Sequence, residues 1–372
     1  MIAPHAVPLC RPSIADSAEG AIRECLASGW LGYGPRCGSL ETLFTAHSDG
    51  VAVATSSCTS ALYLAAQLCW RSSVDEAIVP AITFVSTAMA FQGAGYRVVV
   101  ADVDPKTAML SVADVERAIT PHTRVVVAVH LFGQHYDTSS LRDLCDAHDV
   151  VLIEDCAHRV DLLDDGQPLG DMACYSFNAV KEAPGGEGGM FWCRSVTNRD
   201  RVRALSNLGL TVDTMQRSRS LAHADYQFTG EVALKLRGND LSACLTLSSL
   251  RELSTTRARR ATIFGYYDQA IRRGTSVVRP LERGPDDSYL MYVVRVPAEV
   301  RDQVRSSMAA SGVATSVHYP SLTRHPLFQN DWCPVAEAIE GEIITLPCFP
   351  ELTDSERARV VDALLKAASD IE

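Results

Sequence analysis

Several features that define common protein classes are missing from this sequence. No apolar run in its 372 residues approaches the roughly 20 residues that a membrane-spanning helix needs. The first residues, Met1 to Arg11, have no charged head followed by a long apolar stretch, so they do not resemble a secretory signal. We therefore expect a cytoplasmic protein without a membrane partner.

Basic residues are in the minority. Lys and Arg number 34 against 45 Asp and Glu, which gives a formal net charge of −11. Binding to nucleic-acid phosphates requires clustered Lys and Arg. One Arg-rich segment, Arg257–Arg260, is interpreted as the solvated face of a helix, because four charges in an acidic protein usually have that role. We expect no nucleic-acid partner.

The spacing of the 12 cysteines matches neither a zinc site nor a disulfide framework. The closest pairs, Cys58/Cys69 and Cys145/Cys156, are each 11 positions apart, so no C-x-x-C motif occurs. Several cysteines lie in apolar runs, where a thiol behaves as a small hydrophobic group. The histidines also lack the H-E-x-x-H pattern. Structural thiols and no bound metal are expected.

Short apolar segments alternate with amphipathic segments through the first half of the chain. The apolar segments predict strands at Val51–Ala54, Ala77–Val79, Arg97–Asp102, Arg124–His130 and Val150–Glu154. The amphipathic segments predict helices at Asp16–Ser28, Ser60–Leu68, Val85–Gln92, Ser111–Ile119 and Ser139–His148. Buried strands separated by helices indicate an α/β fold with a parallel sheet covered on both faces. The carboxyl ends of such strands meet at one edge, where ligands bind.

The remaining segments predict loops and a smaller second domain. Loops are expected at Leu31–Pro35, at the polar segment Thr211–Gly230 and at an acidic cluster (Asp161, Asp164 and Asp165). The second half predicts a charged helix over Leu250–Arg260, strands at Tyr289–Val296 and Ala314–His318, and a terminal helix from Asp354. We expect a large domain over residues 1–249 and a small α+β domain over residues 250–372.

Two of the chemically informative segments follow predicted strands. Ser56–Leu62 places hydroxyl groups and free backbone N–H groups at the start of a helix, where an anion such as phosphate can bind. Asp155 ends a buried strand at the expected ligand edge, and such a carboxylate can pair with a protonated pyridine nitrogen. Considered alone, simple N-capping of a helix is the commoner role for either segment.

Two further segments contain a lysine and a run of glycines. Lys181 follows Tyr175–Val180, an apolar context that can desolvate the amine and lower its pKa. Gly185–Gly189 allows a close backbone approach before a strand, but it matches neither a Walker A loop nor a dinucleotide fingerprint. Considered alone, Lys181 could also be an ordinary solvated surface charge.

Taken together and in this order, these motifs resemble the DegT-type family of sugar aminotransferases. The resemblance covers essentially the whole chain, from Ser28–Gly32 through Pro80–Phe84 and Val129–Gln134 to Val317–Pro320 and Leu346–Pro350. It implies fold type I, the architecture of aspartate aminotransferase, with pyridoxal 5'-phosphate (PLP) as the cofactor. It also implies a homodimer whose two chains share their active sites.

The resemblance implies a role for individual residues. Lys181 corresponds to the lysine that carries the cofactor through a Schiff base, Asp155 to the partner of the pyridine nitrogen, and His158 to the residue beside the ring oxygen. Phe84 corresponds to the aromatic residue that stacks on the ring. The other implied residues are Thr59, Ser60, Ser176 and Asn178 around the cofactor, Arg237 as a phosphate ligand from the neighbouring subunit, and His318 and Tyr319 at the substrate.

Three positions depart from the family pattern. Cys58 replaces a usual Gly, Arg159–Asp161 replaces a small-residue stretch, and Leu236 replaces a usual Tyr or Ser. The first has little expected effect on cofactor binding, and the other two border the substrate space, so they bear on the substrate and not on the chemistry. The expected reaction is amination of a keto sugar, with a nucleotide-linked sugar favoured, or of a cyclitol ketone, with glutamate or glutamine as donor.

Three alternatives remain open at this point. In this family sugar deoxygenation usually accompanies replacement of the lysine by His, so Lys181 favours amino transfer. A dehydratase of the aminohydroxybenzoate type and a regulatory protein that binds PLP without turnover are the other two alternatives.

Overall fold

The computed structural model of the protein describes residues 6–46, 50–160, 168–212, 226–284, 286–329 and 331–371. Within these residues the chain builds a seven-stranded sheet and a three-stranded sheet. The predicted acidic loop at Asp161–Asp165 and most of the predicted loop Thr211–Gly230 lie outside the described residues. No described helix is long and apolar enough to cross a membrane.

The predicted alternation of strands and helices in the first half is confirmed. The strands of the large sheet are β1 Val51–Thr55, β2 Glu76–Pro80, β3 Arg97–Ala101, β4 Thr123–Val129, β5 Val151–Cys156, β6 Met172–Ser176 and β7 Gly189–Cys193. The helices of the same region are α1 Ala18–Ser28, α2 Pro35–Ala46, α3 Cys58–Cys69, α4 Ser86–Ala94, α5 Val112–Ala118, α6 Ser139–His148 and α7 Val196–Leu205.

The large sheet has the strand order β1-β7-β6-β5-β4-β2-β3. All neighbouring pairs are parallel except the two that involve β7, which runs antiparallel to β1 and to β6. The expected parallel sheet is therefore confirmed with one exception. A short connection from Ser176 to Gly189 turns the chain back, so β7 pairs as in a hairpin. The parallel strands still end at one edge, and Asp155 is on that edge.

Among the described residues, the second half of the chain contains the three-stranded sheet and five α-helices. The elements are α8 Asp240–Arg251, α9 Leu253–Gly274, β8 Arg279–Pro280, β9 Tyr292–Arg295, α10 Arg301–Ala310, α11 Pro334–Glu342, β10 Ile343–Leu346 and α12 Asp354–Ser369. The predicted strand at Ala314–His318 is wrong. Ser316 pairs with Thr345 of β10 in an isolated bridge, and the rest of the segment does not continue the ladder.

Two other predictions in these regions need correction. The predicted charged helix Leu250–Arg260 spans the break between α8 and α9. Its arginines also do not form a uniformly solvated face: Arg257 pairs with the buried Glu182, and Arg260 is 3% exposed. Arg257 thus packs against the connection that contains Lys181 and Glu182.

Helix α2 begins at Pro35, where only a turn was expected. Its first backbone N–H groups are capped by the buried carboxylate of Asp240, which accepts from Gly34 at 2.9 Å and from Cys37 at 3.0 Å. A cap that lies 206 residues from Gly34 along the chain leaves no local signal. Helix α2 then packs on β1 and α8.

Candidate active site

Asp155 lies at the carboxyl end of β5 and is 3% exposed. Its Oδ2 accepts a hydrogen bond from the Thr87 hydroxyl at 2.7 Å, and its Oδ1 accepts one from the Ala157 backbone N–H at 3.0 Å. Thr87 in turn lies 2.9 Å from the Thr83 hydroxyl. Because a carboxylate only accepts, Thr87 donates to Asp155 and is left to accept from Thr83.

Burial raises the pKa of Asp155, although these hydrogen bonds and the nearby Lys181 act in the opposite direction. The carboxylate therefore has an incompletely compensated negative charge in a dry site. A cationic group placed at its open side would stabilise it. The sequence prediction included Asp155 but not Thr87 or Thr83. Their signal was a pair of threonines four positions apart, just after a strand that ends at the ligand edge.

Lys181 lies in the connection between β6 and β7, and its side chain is partly buried. Its backbone N–H donates to the Asn178 carbonyl at 3.0 Å, which stabilises the turn. Burial lowers the pKa of Lys181, while the Asp155 carboxylate acts to raise it. The amine is thus shifted towards its neutral, nucleophilic form.

His158 is buried, and both of its ring nitrogens have partners. The Phe132 backbone N–H donates to Nδ1 at 3.1 Å, and Nε2 lies 3.0 Å from the Tyr319 hydroxyl. Burial, together with Lys181, lowers the pKa of His158 well below its usual value. A neutral ring that accepts at Nδ1 has its proton on Nε2, so His158 donates to Tyr319.

Tyr319 and His318 both border this group of residues. Burial raises the pKa of Tyr319, so its hydroxyl keeps its own proton while it accepts from His158. Its ring also contacts Phe84, with ring centroids 5.7 Å apart. The His318 ring bonds the Thr345 hydroxyl at 2.9 Å, and burial lowers the pKa of His318 to about 4.

Hydroxyl groups surround the N-terminus of α3. Ser57 caps this helix by accepting from the Ser60 N–H at 3.1 Å, and the Ser60 hydroxyl lies 2.8 Å from that of Ser56. Thr59 is exposed at the first turn, and Ser176 is buried at the end of β6. A Cβ on Gly189 would lie 2.4 Å from the Ser57 carbonyl carbon, so a glycine is required here. Helix N–H groups and hydroxyls together suit a phosphate.

Two residues expected at the cofactor have other contacts in the single chain. The Asn178 side-chain amide donates to Glu187 at 2.8 Å. Arg237 lies with its guanidinium carbon 3.9 Å from the ring centroid of Tyr33. The backbone of Arg237 pairs with Thr55 at the end of β1, beside the phosphate cradle of its own chain.

A cluster of possible metal ligands includes the two residues that flank Asp155 in β5. The ligand atoms of His130, Glu154 and Cys156 are all within 4.8 Å of one another. His130 Nδ1 accepts from the Tyr136 N–H at 3.2 Å, so its Nε2 donates to Glu154 at 2.8 Å. That bond keeps the pKa of Glu154 below its usual value in spite of burial. Both ring nitrogens are engaged, and we interpret the cluster as support for the end of β5.

The donor set at this edge fits PLP group by group. It has a desolvated amine for the aldehyde, a buried carboxylate for the ring nitrogen and a hydroxyl-lined helix N-terminus for the phosphate. Phe84 is 54% exposed and offers an aromatic face beside them. The geometry thus brings together Lys181, Asp155, His158, Phe84 and Tyr319, which come from four separate parts of the chain.

The chain is similar in sequence and in fold to known aminotransferases. The sequence profile of the DegT/DnrJ/EryC1/StrS aminotransferase family matches residues 12–365. A dTDP-4-dehydro-2,3,6-trideoxy-D-glucose 4-aminotransferase of Saccharopolyspora spinosa is 34% identical over 97% of this chain and 96% of its own length.

Solved structures give the same result. The aminotransferase TlmJ of Streptoalloteichus hindustanus superposes with a TM-score of 0.89 at 30% identity, covering 99% of this chain and 100% of its own. The sugar aminotransferase Spr1654 of Streptococcus pneumoniae, in its PLP form, gives 0.87 at 25% identity with coverage of 99% and 100%.

Proposed function

The chain belongs to the DegT/DnrJ/EryC1/StrS aminotransferase family, and we propose that it transfers an amino group from an amino acid to a nucleotide-linked keto sugar. It is a PLP-dependent aminotransferase of fold type I that acts in amino-sugar biosynthesis. The observation that carries the assignment is a carboxylate and an amine that are both desolvated at the same sheet edge. Burial raises the pKa of Asp155 and lowers the pKa of Lys181 at the same sheet edge.

The residues that hold the cofactor follow from their chemistry. We assign Lys181 Nζ to the aldehyde carbon, Asp155 to the ring nitrogen, Phe84 to the ring face, and Thr59, Ser60 and Ser176 to the phosphate. When bound, PLP supplies an electron sink that stabilises negative charge on the substrate carbon. Asp155 maintains the proton on the ring nitrogen, because its uncompensated charge favours a cation there.

Lys181 also moves the proton. When it is not bonded to the cofactor, its neutral Nζ would accept a proton from the substrate carbon and donate it to the cofactor. The burial that lowers its pKa increases the fraction of neutral amine available for this task. Lys181 therefore serves as both anchor and general base.

His158 and Tyr319 orient one side of the site. The Phe132 N–H fixes the tautomer of His158, His158 donates to Tyr319, and the Tyr319 proton is then available to an acceptor on the ligand. Each hydrogen bond in this chain is donated towards the ligand. We assign His318 and Tyr319 to the sugar, between the proposed domains 1–249 and 250–372.

The substrate proposal rests on the relatives. The Saccharopolyspora spinosa protein is named for a dTDP-linked 4-keto sugar, and 34% identity over nearly the full length supports a substrate of the same class. We propose glutamate or glutamine as the donor. Lys181 is at the position where deoxygenating members have His, which favours amino transfer.

We further propose a homodimer in which Arg237 contacts the cofactor phosphate of the neighbouring chain. A phosphate dianion held only by hydroxyls and a helix N-terminus lacks a full counter-charge, and a guanidinium supplies it with paired hydrogen bonds. Such sharing needs a two-fold interface.

A mixing experiment tests the direction of this contact. Mixed Lys181→Ala and Arg237→Ala chains form some heterodimers with one intact site if Arg237 crosses the interface. No activity above either parent, with subunit exchange confirmed, would mean that Arg237 serves its own chain, where its backbone adjoins Thr55.

The proposed reaction is tested by a half-reaction. The purified protein with PLP should absorb in the visible range, and glutamate or glutamine should shift that absorbance as the amino group moves to the cofactor. A dTDP-linked 4-keto sugar should then restore it. A visible spectrum that neither amino acid changes would contradict amino transfer, and Lys181→Ala protein is the matched negative control.

A further inference from the structure

Arg237 is stacked on an aromatic ring that no family motif assigns. Its guanidinium carbon is 3.9 Å from the ring centroid of Tyr33. A stacked guanidinium contacts the ring through its planar face, while its N–H donors lie in that plane and point away from the ring. The contact therefore orients the cation without taking up its donor edge.

The Tyr33 ring is itself fixed by a buried acid. Its hydroxyl donates to Glu41 Oε1 at 2.6 Å, and the same oxygen accepts from the Ala54 N–H at 2.9 Å. Glu41 is 5% exposed and its second oxygen pairs with Arg203. Burial and the neighbouring Glu41 raise the pKa of Tyr33, so the phenol stays neutral and remains a donor.

The backbone next to the Tyr33 ring is equally constrained. Asp240 accepts from the Gly34 N–H at 2.9 Å, and the Asp240 N–H donates to the Gly32 carbonyl at 2.8 Å. A Cβ on Gly34 would lie 2.7 Å from Asp240 Oδ2, so the approach is as close as a glycine allows. Tyr33 is thus held on both sides by bonds to α8, only a few residues after Arg237.

We propose that Tyr33 is a positioning residue that holds the Arg237 guanidinium ready for the cofactor phosphate, with Glu41 holding Tyr33. This inference rests on the proposed role of Arg237. An exposed arginine must order several side-chain torsions to bind an anion, and a stack made beforehand removes part of that cost. The phosphate is the moiety affected, since the ring, aldehyde and ring nitrogen have other partners.

The test compares PLP with pyridoxal, which lacks the phosphate. Affinities of both for the cofactor-free protein are measured by the visible absorbance that they gain. Tyr33→Leu should weaken PLP binding by about 3- to 30-fold, the range of a cation–π contact, and leave pyridoxal affinity unchanged. Tyr33→Phe keeps the ring and should retain most of the affinity. Tyr266→Leu, which removes the Tyr266–Arg357 stack, is the matched control and should change neither.

The Arg237→Ala variant separates the two proposals. It should lose PLP affinity selectively, and Tyr33→Leu added to it should cause no further loss. If Arg237→Ala is selective but Tyr33→Leu is not, the positioning role is wrong and the role of Arg237 stands. If Arg237→Ala leaves the ratio of PLP to pyridoxal affinity unchanged, Arg237 does not contact the phosphate and both proposals fail. Equal loss of both ligands in Tyr33→Leu would indicate a structural role and overturn the inference.

Discussion

Replacing Thr87 by Val should show how strongly the Asp155 carboxylate depends on one hydrogen bond. The Thr87 side chain is completely buried in the first turn of α4 and donates to Asp155 Oδ2 at 2.7 Å. Val has nearly the same shape, so the packing is kept while the donor is lost. A hydrogen bond to a charged group contributes about 1.5–3 kcal/mol, which corresponds to an increase of about one to two units in the pKa of Asp155.

The pH dependence of cofactor affinity is the appropriate assay. PLP pairs with ionised Asp155, so affinity should fall on acidification, and the midpoint should move up by about one to two pH units in Thr87→Val. Thr246→Val is the matched control, because this buried hydroxyl donates to a backbone carbonyl of its own helix, Ser242 O at 3.0 Å. Thr87→Ser should restore the midpoint. An unchanged midpoint in folded Thr87→Val would refute the reasoning.

The pH dependence of the unfolding free energy of the cofactor-free protein gives a second check, because the direction of the change is predicted. Burial raises the folded-state pKa of Asp155 above its unfolded value, so its favourable contribution is present at low pH and is lost as pH rises through the folded-state value. Thr87→Val raises that pKa further. In urea titrations, Thr87→Val should therefore lower the free energy of unfolding, relative to wild type, by more at pH 8 than at pH 4.

Two substitutions extend the test to other parts of the site. Asp155→Asn should leave the fold intact but reduce turnover by several orders of magnitude, because the ring nitrogen loses its charge partner; near-normal turnover would remove Asp155 from this role. His318→Ala should raise KM for the keto sugar and leave the cofactor spectrum unchanged. Loss of bound PLP in that variant would place His318 at the cofactor.

Much of the fold was predictable because its signals are local. Buried strands such as Val51–Thr55 and the terminal helix from Asp354 are encoded in consecutive residues, including the Thr353 and Glu356 capping box. Helix α2 was missed because its cap, Asp240, lies 206 residues further along the chain than Gly34. The predicted strand at Ala314–His318 was wrong because only Ser316 bridges to β10.

The site shows the same division between local and distant signals. Lys181 and Asp155 were predicted from motifs that each occupy a few residues. The hydrogen bond from Thr87 to Asp155, the contact of His158 with Tyr319 and the stack of Arg237 on Tyr33 join residues 68, 161 and 204 positions apart. Such pairs are set by packing and not by local sequence, so only the folded chain shows them.

The most direct test of the account is to locate the cofactor on the chain. Borohydride reduction of the PLP-bound protein followed by proteolysis and peptide mapping identifies the labelled lysine. The sequence has only four lysines, and Lys106, Lys235 and Lys366 are exposed whereas Lys181 is partly buried. The account predicts a single label on Lys181. A label on any of the other three, with Lys181 unmodified, would contradict it.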